Sequence, residues 1–429
     1  MNLAPYPRLR TPDWRMRVLT TTPRDVQIQR FRIEVTGGPD RGLVVVADGD
    51  EISVGTAPSN QLVLSDPSAS RHHLAIVATP LGFQLRDLSS AHGTFLADYR
   101  VEVAYIDSGA VIQAGETALR FEALDEHVSR PLSERDRFGE AMGESAAMRR
   151  LFGALERLAP TDAAILLEGE TGTGKGALAE AIHRHSGRAG GPFVAVDCAG
   201  APAHLLEAEL FSVDGRPGAL AAARGGTLFL DSIGDLPSAL QEKLARALDG
   251  EATGGEAIDV RVVAATNRDL RPEVNAEAFR ADLFHRLGGA RVVVLPLRER
   301  AEDVAVLAAH LYRQASGGPG PTEELLRGLT RQPWPGNLRE LRAAVERLAD
   351  QASEEQNGGR DESWPALDFT ISFRESKEGA LAVWTRVYVR ELVDRYGGNL
   401  SRAARAVSMD RNHLRDLLHK YAMNGADPA

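Results

Sequence analysis

Cysteine is nearly absent: the 429 residues hold one, Cys198. A disulfide framework and a thiolate zinc cage are therefore excluded. No apolar run reaches the roughly 18 residues a membrane helix needs. The opening stretch MNLAPYPRLRTPDWRMR is basic but has no apolar core, so it does not read as a signal peptide. A cytoplasmic protein without membrane contact is expected. Positive charge is not in excess either: 50 Lys and Arg stand against 60 Asp and Glu, a net charge of −10. That excludes a uniformly basic nucleic-acid coat, though not a local basic module. Internal repeats are missing as well. What is there is ordinary for globular domains, with 43% hydrophobic and 26% charged residues. At roughly 150 residues per domain, the length predicts about three domains.

The patterning changes along the chain. Residues 1–28 are polar, carry several prolines and threonines, and read as a loose arm. Over 29–124, short β-rich runs recur at about ten-residue spacing: FRIEV, LVVVA, EISVG, QLVLS, LAIVA, FQLRDL, GTFLA and ALRFEAL. Turn signals such as TGGPDRG and APSN separate them, which predicts an all-β sandwich. The charged stretch 125–137 reads as a linker. From 138 to 298, apolar runs (AAILLEG, PFVAVD, TLFLD, VRVVAAT) alternate with helical segments. Buried strands alternating with helices predict a parallel sheet covered on both faces. Residues 299–351 are helical and charged, 352–372 are polar and read as a second linker, and 373–425 are helical.

Gly169-Glu170-Thr171-Gly172-Thr173-Gly174-Lys175 follows the run AAILLEG and opens a helical segment. This is G-x-x-x-x-G-K in the context that phosphate binding needs. Glycines let backbone N–H groups curl around phosphate oxygens, and the helix N-terminus adds a positive dipole. Lys175 would reach the β and γ phosphates. The next position, usually Ser or Thr for magnesium, is Gly176. TLFLD ends in Asp231, suited to hold magnesium and its water. VRVVAATN ends in Thr266 and Asn267, suited to orient a water near the γ-phosphate or simply to cap a strand.

The ordered pieces GETGTGK, AIHRHSGR, PFVAVDCA, EAELF, GGTLFLD, VRVVAATNRDL, FRADLFHRL, LPLRER and WPGNLREL resemble the AAA+ domain of bacterial enhancer-binding proteins, the sigma-54-dependent transcription activators. The resemblance implies a ring-forming ATPase that uses ATP and Mg2+ and assembles from dimer to hexameric ring. It implies Gly169 to Lys175, with Gly176, as the phosphate loop, Asp231 as the magnesium acid and Asn267 as the sensor. Arg280 and Arg286 match the arginines that reach a neighbouring subunit's nucleotide, and Arg339 matches the lid arginine. Two departures stand out. Ser232 occupies the place of the glutamate that polarises the attacking water, a loss typically worth about 10²–10⁴ in rate. Between ELF and GGTLFLD the family inserts a loop bearing GAFTGA that touches the sigma factor, and this chain has only SVDGRPGALAAAR there.

In the N-terminal segment, VGTAPSN, SASRHHLAI, LRDLSSAHGTF and SGAVIQAGETALRFE resemble a forkhead-associated (FHA) domain, the module that recognises phosphothreonine. Phosphate capture needs a hydroxyl and a guanidinium converging at loop tips. Ser70 and Arg71 supply both, and His73 and Gly93 match structural positions. The family's Gly-Arg is Gly55-Thr56 here, and its Asn-Gly is His92-Gly93, leaving His92 to donate one hydrogen bond. The resemblance implies a phosphothreonine protein or a Ser/Thr kinase as partner, and Thr20, Thr21 and Thr22 are candidate internal targets.

At the other end, GGNLSRAARAV followed by RNHLRDLLHKY fits two short helices around a tight turn. Residues 374–423 hold 10 Lys and Arg against 6 Asp and Glu, a local charge of +4. The segment resembles the Fis-type helix-turn-helix of enhancer-binding proteins, which implies a dimer on double-stranded DNA. Arg411, Asn412, His413 and Arg415 would face bases or phosphates, and Arg402 and Lys420 would hold phosphates.

The expected chain is thus multidomain: an all-β FHA-like sandwich, an α/β AAA+ P-loop domain with a helical lid, and an all-α helix-turn-helix. The expected function is a sequence-specific DNA-binding transcription regulator with FHA-like sensory input, an ATP-binding assembly domain and a degenerate hydrolysis site. The alternatives are a working ATP-hydrolysing activator of sigma-54 RNA polymerase and a phosphothreonine-peptide adaptor.

Overall fold

The computed structural model describes residues 19–21, 24–47, 49–211, 217–249, 259–316, 320–358 and 372–420. Most of the arm, residues 212–216, where the contact loop is expected to be missing, and most of the second linker lie outside these. Among the described residues no helix is long and apolar enough to cross a membrane.

The N-terminal part is a two-sheet sandwich. Its strands are β1 (Leu19–Thr21), β2 (Asp25–Gly37), β3 (Val44–Val46), β4 (Glu51–Gly55), β5 (Leu62–Val63), β6 (Leu74–Thr79), β7 (Gly82–Asp87), β8 (Thr94–Leu96), β9 (Tyr99–Val101), β10 (Val103–Ile106), β11 (Val111–Ala114) and β12 (Thr117–Pro131). One sheet runs β1-β2-β12-β11-β8-β9 with β3 beside β2, and the other runs β10-β7-β6-β4-β5. Inward-facing Phe31, Phe83 and Phe121 meet at centroid distances of 4.9 to 5.7 Å and form the centre of the core. Alternation in β2 buries Phe31, Ile33 and Val35, then slips at Ile28 and Gln29. The slip faces a register shift in β12 between Ala123 and His127. The Gln29 amide covers it by donating to the Leu124 carbonyl.

Two expected boundaries are corrected here. The arm was placed at 1–28, yet β1 and the start of β2 fall inside it, with Thr20 and Thr21 paired to Gln27 and Val26. The linker was placed at 125–137, yet β12 runs through it to Pro131, paired with β2. The cause is shared: these strands form a ribbon whose outer face is polar, with Arg30 bonded to Glu126 and Ser129 to Asp25. Charge at alternate positions marked solvent exposure, not absence of structure.

A short hairpin, β13 (Arg137–Phe138) and β14 (Ala141–Met142), leads into the α/β part. There follow α1 (Ala146–Leu158), β15 (Ile165–Glu168), α2 (Lys175–Arg184), β16 (Phe193–Asp197), α3 (Ala203–Leu210), α4 (Ala219–Ala222), β17 (Thr227–Asp231), α5 (Ser238–Leu248), β18 (Arg261–Thr266), α6 (Arg271–Asn275), α7 (Ala281–Leu287) and β19 (Ala290–Val293). The strands form one parallel sheet in the order β16-β17-β18-β15-β19. Every residue of β15 and β18 is buried, as the continuous apolar runs predicted. Cys198 lies buried in the cluster on one face of the sheet, which pushes its thiol up to about 12.

The lid is α8 (Glu302–Ser316), α9 (Glu323–Thr330) and α10 (Asn337–Gly358). Its last helix passes the expected boundary at 351, because Gln, Ala and Glu favour helix and no proline intervenes. Residues 346–429 form a separate compact unit. Within it, α11 (Phe373–Arg395), α12 (Leu400–Ala406) and α13 (Arg411–Lys420) pack around Val389, Leu392, Ala403, Ala404 and Leu414. Ser372 and Glu375 close a capping box on α11, and Asn399 caps α12.

Candidate nucleotide site and its neighbours

Strands β15, β17 and β18 are adjacent and parallel, so their C-terminal ends converge. Ligands bind at that edge of open α/β sheets. The loop after β15 is Gly169–Gly174, with Lys175 opening α2. Gly172 and Gly174 have φ of +80° and +101°, the left-handed region that glycine tolerates. A Cβ on Gly169 would come within 2.4 Å of the Val294 carbonyl, and one on Gly172 within 2.5 Å of the Gly336 carbonyl. Glycine is thus required by packing as well as by conformation. The Lys175 ammonium donates to the Gly169 and Glu170 carbonyls at 2.6 and 2.9 Å, inside the loop. Burial pulls its pKa below the usual lysine value, against the opposing charge of Asp231 and with that of Arg339.

The lid is bonded to this loop. Asn337, at φ +51°, donates from Nδ2 to the Thr171 carbonyl and to Glu170, and its Oδ1 accepts from the Leu297 N–H. Leu338 N–H donates to the Gly172 carbonyl. Arg298 makes two bonds to the Glu170 carboxylate, and buried Arg300 donates to the Thr173 carbonyl. Arg298 holds that carboxyl below the usual glutamate value. Sequence reasoning had singled out Glu170 and Arg339 but missed Arg298, Arg300 and Asn337. Their signal lay in LPLRER and WPGNLREL, of which only Arg339 was used.

Loop and lid enclose a cleft of about 750 Å³. Glu170, Thr171, Asn267 and Arg339 line it, so three expected elements meet there. Asp231 ends β17 and accepts from the Ser232 N–H at 2.9 Å. Ser232 itself stands at φ +54°. Gly176 presents no hydroxyl, and a Cβ there would meet only Phe229 Cε1, at 4.0 Å. The glycine loop has the conformation and the cation that a polyphosphate would need, and the charge of Asp231 acts on Lys175. Arg280 and Arg286 lie apart from the cleft on the surface. Arg280 pairs with Asp282 and Glu242, and Arg286 with Asp249 and the Leu248 carbonyl. Where the contact loop was expected to be lost, Gly218 sits so close to Phe211 that a Cβ would meet its backbone at 2.5 Å.

In the sandwich, Ser70 Oγ accepts from the Ala91 N–H at 2.9 Å. The Arg71 guanidinium donates to the Val274 carbonyl and to Glu277, both in the α/β part. Exposed His92 bonds the Ser68 carbonyl through Nδ1. Behind them, His73 accepts the Ser70 N–H at Nδ1 and bonds the Gly93 carbonyl through Nε2, which fixes it as a neutral ring. In the C-terminal unit, Arg402, Arg411, Asn412, His413, Arg415 and Lys420 are all exposed, while Leu414 faces the core. Asp410 caps α13 by accepting from Asn412 and His413 N–H.

Comparison with known proteins gives three family matches. The Sigma-54 interaction domain matches residues 141–293, and the AAA+ ATPase lid domain matches 298–357. The cytoplasmic domain of the inner membrane component of T3SS matches 34–125. Regulatory protein LuxO of Vibrio cholerae is 42% identical over 266 residues, 57% of this chain and 49% of LuxO. The anaerobic nitric oxide reductase transcription regulator NorR of an Enterobacter species is 36% identical over 360 residues, 75% of this chain and 71% of NorR. The crystal structure of NtrX from Brucella abortus in complex with ATP aligns at 34% identity and TM-score 0.47, over 67% of this chain and 71% of that one. The chain spans about half the length of LuxO.

Proposed function

The chain belongs to the sigma-54-dependent transcriptional regulators, and from that membership we propose a DNA-binding regulator whose AAA+ domain binds ATP to assemble and hydrolyses it slowly. One observation carries the reading: Thr171, Asn267 and Arg339 line a single cleft, Lys175 is held within the same loop and feels the charges of Asp231 and Arg339, and Ser232 stands where the water-polarising glutamate belongs. Gly169 to Gly174 would cradle the phosphates with backbone N–H groups, and Lys175 would hold the β and γ oxygens. Asp231 would hold Mg2+, which supplies charge neutralisation on the phosphates. Asn267 and Arg339 are placed to sense the γ-phosphate, and exposed Arg280 and Arg286 to reach a neighbouring copy.

For the other modules, the exposed arginines of α12 and α13 support DNA binding. The stacked Trp384 and Tyr388 on the outside of α11 support a dimer. Ser70, Arg71 and His92 at the sandwich edge support recognition of a phosphothreonine protein, and a Ser/Thr kinase would generate that mark.

Open-complex formation by sigma-54 RNA polymerase on a generic promoter, with ATP and high protein concentration, tests the reading. We expect none where a competent activator succeeds. Open complexes would instead establish the second reading, a working activator, which the retained Lys175, Arg280, Arg286 and Arg339 favour.

A further inference from the structure

The loop that carries Ser70 and Arg71 is only partly open to solvent. It is seated on the α/β part, on α6 and the turn that follows. Arg71 donates to the Val274 carbonyl at 3.1 Å and to Glu277 Oε1 at 3.2 Å. Asn275 bridges the backbone beside it: its Oδ1 accepts from the His72 N–H at 3.0 Å, and its Nδ2 donates to the His72 and Leu88 carbonyls at 2.6 and 2.8 Å. The His72 ring meets Phe284 of α7 edge-on at 5.2 Å. Deeper in the same contact, Glu51 of β4 pairs with Arg271, which also holds Asp269.

These contacts have the chemistry of a bound acidic peptide. An extended ligand would offer the loop its backbone polar groups, and here the Asn275 amide does so. A phosphothreonine would offer Arg71 an anion, and here the Glu277 carboxylate does so, from a residue held at φ +58°. Resting on the phosphothreonine reading above, we infer that the recognition edge of the sandwich is occupied in cis by residues 271–284 of the ATPase domain, so that a phosphothreonine peptide and this segment compete for one site.

Two differences within the contact make exchange feasible. The Arg71–Glu277 pair lies at the rim, with side chains 47% and 77% exposed. A phosphate brings nearly two charges and three acceptor oxygens against one carboxylate, so it wins Arg71 on charge. The pair around Arg271 is enclosed, with that side chain only 5% exposed. Opening therefore starts at the rim. The displaced segment is the one that carries Arg280 at its end and leads into α7 with Arg286. Binding at the sandwich would thus free the segment that precedes these arginines.

The test uses the full-length chain, a degenerate phosphothreonine peptide library with its unphosphorylated counterpart, and three variants. Asn275→Ala and Glu277→Gln loosen the dock without touching Ser70, Arg71 or His92, and Arg71→Ala removes the shared group. Hydrogen exchange of residues 70–75 and 271–284 reports the dock directly. We expect both loosened variants to exchange faster in those segments and to bind phosphopeptide at least tenfold more tightly than wild type, with Arg71→Ala binding none. Equal phosphopeptide affinity in wild type and in the loosened variants overturns the competition while leaving phosphothreonine recognition standing. Faster exchange with no phosphopeptide binding in any variant overturns both. Unchanged exchange in Asn275→Ala and in Glu277→Gln overturns the dock as the holding contact.

Discussion

The phosphate loop after β15 and the arginine loop of the sandwich are both proposed to meet a phosphate, and they stand in opposite states. At the first, Glu170 and Thr171 of the loop, Asn267 after β18 and Arg339 of the lid line a cleft of about 750 Å³. At the second, Arg71 and the backbone of His72 are engaged by Val274, Asn275 and Glu277 of the same chain. Both sites were legible as motifs. Their availability was not, because availability depends on what the rest of the chain places against them.

The strongest way to break the comparison is to complete the nucleotide site. If it lacks only the acid that polarises water, Ser232→Glu raises ATP turnover by about 10²–10⁴. Steady-state phosphate release measures it, and a gain under tenfold would mean that more than Ser232 is missing. Removing the cation from the open site comes next. Lys175→Ala takes away a charge-assisted contact worth about 3 kcal/mol, so nucleotide affinity falls roughly 100-fold. Titration with a fluorescent ATP analogue reads this. Phosphopeptide binding at the sandwich stays unchanged if the two sites recognise their ligands independently.

The fold class was legible because period and burial agree: two-residue alternation in the sandwich, continuous apolar runs in β15 and β18. Within the nucleotide site, Lys175, Asn267 and Arg339 were found because each ends or follows a recognisable run. Arg298, Arg300 and Asn337 were missed because their work is done across the loop–lid boundary, on the Glu170 carboxylate and on backbone carbonyls that no local motif records. Glu51, Arg271 and Asn275 were missed for the same reason, at a contact between segments some two hundred residues apart. The ribbon formed by β1, β2 and β12 was read as arm and linker because solvated strands carry the same charges as loops.

Acid sharpens the comparison, because only the occupied site contains a buried histidine. His72 is held down to about 4, first by burial and then by the like charges of Arg271, Arg291 and Arg71, with Asp269 opposing. Its Nδ1 meets Asn60 Oδ1 and its ring meets Phe284. A histidine with a depressed folded pKa contributes stability above its unfolded value near 6.5 and loses it as pH falls toward 4. By pH 5 the loss amounts to about 2 kcal/mol. Hydrogen exchange of residues 70–75 and 271–284 therefore accelerates between pH 6.5 and 5. In His72→Gln the acceleration is smaller over that window, since only the His73 ring remains there to protonate. Acceleration of the same size in both would assign the effect to His73 or to the neighbouring carboxylates instead.

The smallest effects separate the two sites by what a single methyl meets. Gly55 lies under the arginine loop, and a Cβ there would come within 2.3 Å of the Arg71 carbonyl. Backbone cannot yield as a flexible side-chain tip does, so Gly55→Ala costs about 1–3 kcal/mol and shifts the loop that carries Ser70 and Arg71. Gly176 lies in the first turn of α2, and its added methyl would meet only Phe229 Cε1 at 4.0 Å. A helical glycine replaced where space is open stabilises by roughly 0.5–1 kcal/mol, through lower entropy of the unfolded chain. Thermal unfolding of the two variants should therefore move in opposite directions. A loss of stability in Gly176→Ala would show that the phosphate loop is as tightly enclosed as the sandwich edge, and the contrast between an open and an occupied phosphate site would fail at its most local level.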